Sequence, residues 1–311
     1  MAGQFFINRG LVSSGKSAYG QTPNTEEKTP KGDNLWGLIF GQFSDQETID
    51  NFHGYDASTF GIAIGKDKQL TTDLLLGVAF SYANIAVNVA NNYGKTDIEN
   101  FQFSLYGVYD FTENLYVAAQ TSYTLGYNKS YRYNAGISPL QTTAKGDYFS
   151  NQFLIQTRVG YILDLSNNMT LTPLFINDFA YYQDNSYTES GLNPNLQINS
   201  FQISSYNIGA GFNYEWDIPV SEKGRVNPFL FVGYTYDLLN KAIITQGKFK
   251  GGPNNNWSVT SPYTPGPHSF LLSTGLASTI IENLDINLNY NLVAQNQYFS
   301  QGGNLTISYS F

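Results

Sequence analysis

The chain has 311 residues, enough for one large domain or about two ordinary ones. Charged residues make up only 13%, while aromatic residues reach 16%, with 24 Tyr and 22 Phe. No stretch approaches the roughly 18 consecutive apolar residues of a spanning helix, which excludes a helical membrane protein. A net charge of −8 excludes a nucleic-acid partner, and zero Cys excludes disulfides, thiolate metal sites and Cys nucleophiles. What remains is a transmembrane β-barrel, in which only every second residue meets lipid.

Residues 1–33 differ from the rest. After Phe5-Phe6-Ile7 the chain is rich in Gly, Ser, Pro and charge, ending Thr25-Glu26-Glu27-Lys28-Thr29-Pro30-Lys31-Gly32-Asp33. That composition predicts a linker or leader, with a short helix at most over 3–14, because Gly10, Gly15, Gly20, Pro23 and Pro30 oppose a longer one. Met1-Ala2-Gly3-Gln4 carries no basic region followed by an apolar core, so the expectation is a processed or partial chain. Within this leader, Gly10-Leu11-Val12-Ser13-Ser14-Gly15-Lys16-Ser17 satisfies the phosphate-loop pattern G-x-x-x-x-G-K-[ST]. That loop works only between a buried strand and a helix, and Ala18-Tyr19-Gly20-Gln21-Thr22-Pro23 cannot continue a helix, so nucleotide binding is rejected.

From residue 34 onward the dominant period is two. Strands are expected near 34–43, 57–66, 73–83, 100–110, 114–125, 150–163, 169–182, 203–216, 226–237, 268–280, 283–293 and 303–311. Leu74, Leu76, Val78, Phe80 and Tyr82 alternate with Leu75, Gly77, Ala79, Ser81 and Ala83, and Leu284, Ile286, Leu288, Tyr290 and Leu292 alternate with Asp285, Asn287, Asn289 and Asn291. Runs of about 9–11 residues suit a tilted membrane strand better than a sandwich strand of about five or six. Tyr82, Tyr109, Tyr123, Tyr161, Trp216 and Tyr290 sit toward strand ends, where an aromatic girdle belongs. The faces of the first, sixth and seventh strands are ambiguous, and Pro173 and Pro228 demote parts of theirs.

Connections alternate in length, which is the pattern of short periplasmic turns and long external loops. The long ones are expected over 44–56, 84–99, 126–149, 183–202, 238–267 and 294–302. The 238–267 segment, full of Gly, Pro and Asn, reads equally as a surface loop or as a cover over the pore mouth.

The inward faces carry small and amide residues, so the lumen is expected to offer hydrogen bonds without apolar surface. Arg158, Glu215, Asn207, Asn213, Asn287 and Asn289 are the pore-lining candidates. An Arg on the lipid face near the midplane would cost about 2–4 kcal/mol, which turns Arg158 inward. These charges either solvate the lumen or contact a threaded segment. His53 and His268 fall in or beside external loops, the first among Asp45, Glu47, Asp50 and Asp56. A solvated acidic loop is the simpler reading than a hydrolase or Ca²⁺ site, since neither a G-x-S-x-G nor an EF-hand order is present. No catalytic residue, metal or cofactor is expected.

Trp36-Gly37-Leu38-Ile39-Phe40-Gly41, then Gly54-Tyr55-Asp56-Ala57-Ser58-Thr59-Phe60-Gly61, resembles the opening of an autotransporter β-domain. Leu76-Gly77-Val78-Ala79-Phe80-Ser81-Tyr82, Leu171-Thr172-Pro173-Leu174-Phe175, Tyr187-Thr188-Glu189-Ser190-Gly191 and Ile307-Ser308-Tyr309-Ser310-Phe311 follow in the same order. The Asn- and Lys-coloured loops and Val12-Ser13-Ser14-Gly15 are similar to the rickettsial surface-antigen members. The resemblance covers residues 34–311 and implies a twelve-stranded outer-membrane translocator of type V secretion. It implies a non-enzymatic, monomeric barrel whose partners are outer-membrane lipid, the barrel-assembly machinery and its own N-terminal passenger, often an adhesin. By the same resemblance Tyr309 and Phe311 belong to the C-terminal assembly signal. A diffusion porin or a receptor-binding barrel adhesin is the alternative.

Overall fold

Alternation of apolar and small or polar residues gives each strand one face for lipid and one for the interior, and closing the sheet removes its edges. In the computed structural model the described residues are 33–49, 52–133, 143–165, 168–191, 195–221, 224–250, 256–261, 266–281 and 283–311. The leader and its phosphate-loop match lie outside them. Twelve strands form the barrel: β1 Asp33–Gln46, β2 Tyr55–Gln69, β3 Leu74–Val89, β4 Gly94–Asp110, β5 Leu115–Tyr133, β6 Thr143–Tyr161, β7 Met169–Asp184, β8 Phe201–Trp216, β9 Arg225–Asp237, β10 His268–Ile281, β11 Leu284–Gln295 and β12 Tyr298–Ser310. Each pairs antiparallel with its sequence neighbours, and β12 returns to β1 with Asn34 opposite Ser310 and Gln46 opposite Tyr298.

Both prolines lie inside paired strands, Pro173 opposite Phe212 and Pro228 opposite Leu276, so neither shortens its strand as expected. The larger difference is length. The strands have 12 to 19 residues, and most of the excess lies at the end away from the termini. The expected 84–99 loop is the continuation of β3 into β4, turned at Asn91 and Asn92 with φ of 58° and 57°. The expected 294–302 loop is a turn at Asn296 and Gln297. Segments expected as loops over 183–202 and 238–267 contribute a second, four-stranded sheet, in the order Asn256–Ser261, Ile243–Phe249, Leu196–Ile198, Tyr187–Thr188.

The outward face is apolar and bounded by aromatic rings. Toward the termini these are Tyr109 packed edge-on against Phe111, Tyr161, Trp216, and Tyr309 stacked on Phe311. Toward the loops, Tyr123 donates to Asn151 (2.6 Å), Tyr181 to Gln202 (3.0 Å) and Tyr290 to Gln301 (2.7 Å). Each ring ends on an outward amide, as expected where hydrocarbon gives way to water. Strands of 19 residues at about 3.3 Å each outrun an apolar band about 25 Å tall even when tilted. The walls of β4, β5 and β6 therefore stand clear above that upper girdle.

Candidate functional site

Inside the ring the lumen has two tiers. Near the termini it is apolar and aromatic: Trp36, Leu38, Ala63, Leu75, Ala79 and Tyr106 form one cluster, and Val108, Tyr116, Ala118, Ile162, Leu174, Ile176 and Phe231 a second. This corrects the expected lumen of small and amide groups alone. The rings lie against the wall because glycines on neighbouring strands leave room for them. A Cβ at Gly77 would overlap the Tyr106 ring, and one at Gly160 the Tyr116 ring. Polar tips are tied down as well. Trp36 Nε1 donates to Tyr106 Oη (2.7 Å), which donates to Asp67 (2.7 Å), and Asp67 accepts from Asn34 (3.0 Å).

A polar belt crosses above this tier. Gln120, Gln156, Asp178, Asn207 and Asp237 stand in register on successive strands β5 to β9. Arg158, 6% exposed, makes two bonds to the Asp178 carboxylate (2.5 and 2.9 Å), so the interior charge expected at that position is present and compensated. From the belt upward, Gln120 donates to Ser122 and Gln102 to Ser104, and higher still Asn128 donates to Ser150 (2.9 Å). Buried polar atoms without a hydrogen-bond partner occur here too, at both side-chain atoms of Gln156 and at Asn128 Oδ1, and also in the lower tier at Asn213 Oδ1, beside Phe231.

The other expected lining residues also sit on the interior. Glu215 accepts from Asn213 (3.0 Å), and both are buried. Asn289 donates to Asn304 (3.1 Å). Asn207 and Asn287 are half-buried. Asn207 borders a cavity of about 150 Å³ under the loop end, shared with Asp178, Asp237, Ser269, Gln295 and Lys241. Tyr309 and Phe311 point outward at the closing seam, where Phe311 N donates to Asp33 O (3.0 Å) and Lys66 lies 5.6 Å over the Phe311 ring.

Asp178 was not anticipated. Apolar residues occupy both faces of β7, with Phe175 and Phe179 outward and Leu174 and Ile176 inward, so periodicity gives no contrast there; only the cost of a lipid-facing carboxylate could have placed it. The aromatic tier was missed for a similar reason, since an inward Tyr106 and an outward Tyr109 are alike in sequence.

Both histidines pack against tyrosines, and His268 Nδ1 shares a hydrogen bond with Tyr234 Oη. His53 stacks on Tyr93 at 4.0 Å, and His268 packs edge-on against Tyr236 at 5.1 Å. Asp45 and Asp56 face each other across β1 and β2, while Asp50 lies outside the described residues. Among the described residues no cluster of three or more His, Asp or Glu could hold a metal.

The autotransporter β-domain family model matches residues 35–291. Outer membrane protein A of Rickettsia conorii (strain Malish 7) is 27% identical over 316 residues, covering 98% of this chain and 15% of that protein. The chain thus spans only a small fraction of the length of the curated relatives it matches. Among solved structures, the translocator domain of the autotransporter NalP from Neisseria meningitidis superposes with a TM-score of 0.72 at 13% identity, covering 95% of this chain and 92% of that one. The β-domain of the Bordetella autotransporter BrkA gives 0.64 at 16%, covering 90% and 100%. At such identities these two carry the fold alone. Closed twelve-strand ring, polar belt and family match converge: the chain belongs to the autotransporter β-domain family, a non-enzymatic outer-membrane transport barrel homologous to rickettsial surface antigens.

Proposed function

We propose that the barrel conducts the polypeptide lying N-terminal to it through its own lumen to the cell surface, and then anchors it there. The observation that carries this reading is the polar belt across the lumen, with buried, unpartnered amide atoms at Gln156 and, above it, at Asn128. Such atoms are costly unless something satisfies them, and a backbone passing through offers both donors and acceptors. Arg158 paired with Asp178, together with Glu215, Asn207, Asn213, Asn287 and Asn289, would line that path. Residues 1–33 are its last occupants, remaining in or near the pore.

The termini face the periplasm in this reading, and the extended walls of β4 to β6 with the second sheet face outward. The barrel works as a monomer among outer-membrane lipids. Tyr309 and Phe311 form the C-terminal signal for the barrel-assembly machinery, and the exported passenger acts as a surface antigen or adhesin.

The test places an epitope tag upstream of residue 1, behind a signal peptide, and treats intact bacteria with protease. A tag shaved from outside is expected. A tag that stays protected while the barrel is inserted and heat-modifiable would sink the proposal in favour of a diffusion porin or a barrel adhesin, a reading that the polar cavity beside Asn207 also suits. In the same cells, deleting residues 1–33 is expected to raise single-channel conductance. An unchanged conductance would remove the leader from the lumen.

A further inference from the structure

Strands β4, β5 and β6 rise past the upper girdle, and their register stays unbroken to the top. The outward face therefore continues from Phe101 to Glu99, Asp97 and Lys95, and from Leu125 to Tyr127, Lys129 and Tyr131. On β6 it continues from Phe153 through Asn151 to Phe149, Asp147 and Lys145. Across the three strands these residues stand in three rows. The lowest is Glu99, Tyr127 and Phe149, the next Asp97, Lys129 and Asp147, and the highest Lys95, Tyr131 and Lys145. The inner face of the same stretch carries one charged residue, Arg132, which is bonded to Glu189 (2.9 and 2.5 Å).

Hydrocarbon explains outward aromatic rings only as far as the girdle. Here they continue above it, interleaved with lysines. Lys129 Nζ lies 5.1 Å from the centre of the Tyr127 ring and Lys145 Nζ 5.9 Å from that of Tyr131, while Tyr127 and Phe149 pack at 5.3 Å. In the middle row Lys129 sits between two carboxylates. In the top row a ring sits between two lysines whose strands are about 10 Å apart. Along β6, Phe149, Asp147 and Lys145 stand about 5, 10 and 15 Å above Asn151, at about 3.3 Å per residue and a tilt near 40°.

We propose that this outer wall is a binding face for the phosphorylated core saccharide of lipopolysaccharide in the outer leaflet. The proposal rests on the outward orientation of the loop end given above. The lipid-facing band runs straight into the wall, so what lies directly above the hydrocarbon touches it. A phospholipid headgroup layer is only about 5–8 Å deep, which leaves the top row in water, whereas a chain of sugars reaches it. The chemistry matches row by row. Pyranose rings present C–H faces that stack on Tyr127, Phe149 and Tyr131, and their hydroxyls donate to Asp97 and Asp147. Phosphates take the ammonium groups of Lys95 and Lys145, which leave only contacts that are weak in the open. Holding one side of the barrel in this way fixes its height and tilt while a chain passes through it.

The test measures binding of fluorescent rough lipopolysaccharide, which keeps the core saccharide, to the full refolded barrel in detergent, against lipid A, which lacks it. Rough lipopolysaccharide is expected to bind more tightly. Lys95→Gln with Lys145→Gln is expected to weaken it by about tenfold at low salt and by less at about 1 M salt, with lipid A binding and heat-modifiability unchanged. Tyr131→Ser removes a ring and no charge, and is expected to weaken rough lipopolysaccharide alone, with the same salt dependence as the parent. Equal affinity for the two lipids overturns the saccharide face, and so does a double variant that binds like the parent. If the double variant loses heat-modifiability, Tyr131→Ser decides, and an unchanged affinity overturns the proposal. The chain has no cysteine, so Lys250→Cys reports orientation in intact cells through a membrane-impermeant maleimide. Labelling is expected; a thiol that stays unreactive in an inserted barrel overturns the orientation and the translocator reading with it, whatever the lipid binding shows.

Discussion

The two halves of the lumen solve different problems with the same strands. The half nearest the termini is packed like a core, with rings seated on glycines, a tyrosine bridging an indole and a carboxylate, and one buried ion pair above. The half nearest the loops is lined by Ser, Gln and Asn, several of them bonded only to each other or to nothing. Rigidity is thus concentrated below and hydrogen-bonding capacity above, which suits a wall that must hold its shape while its contents move.

That contrast breaks most visibly at the ion pair. Asp178→Leu leaves the Arg158 guanidinium uncompensated, and a barrel destabilised by about 3–5 kcal/mol is expected in urea titrations followed by heat-modifiability. Adding Arg158→Met should recover most of the loss. Gly160→Ala drives a methyl group into the Tyr116 ring and is expected to cost about 1–3 kcal/mol by the same titration. Tyr106→Phe removes the oxygen joining Trp36 and Asp67, with an expected loss near 1 kcal/mol and a shift in tryptophan emission. In the upper wall Lys129→Ala, whose partner Glu99 lies 3.6 Å away in the open, should change stability by about 0–1 kcal/mol. Upper-tier effects as large as those below would erase the distinction.

Legibility in the sequence followed the surroundings of each strand. Where one face meets hydrocarbon, as for Leu76, Val78 and Phe80, period two is strong and the strand is found. Above the girdle the pattern changes: in Asn84–Val89 it inverts, with Asn84 and Asn88 outward and the buried Ile85 inward, and in Lys129–Tyr133 both faces carry polar groups. The run of apolar residues facing lipid ends there, and those stretches read as loops. A turn signal was still present: Asn91-Asn92 is a pair suited to positive φ, and reading it would have extended β3 and β4. The outer hairpin could not be placed, because its pairing with Leu196–Ile198 joins segments distant in sequence with no charge or spacing to announce it. Among the site residues, Arg158 was legible because charge on lipid is costly, and Asp178 was hidden because apolar residues occupy both faces of its strand.

The ring is completed by pairing the first strand with the last, Asn34 beside Ser310. Until residue 310 is in place, both flanks of the sheet present open N–H and C=O groups that hydrocarbon cannot satisfy. The wall therefore has no partial form that lipid tolerates, and the contact that finishes it spans nearly the whole chain, which makes it the slowest to find. A ribosome or a protease that removes even the final strand leaves not a weaker barrel but an open sheet with two adhesive borders.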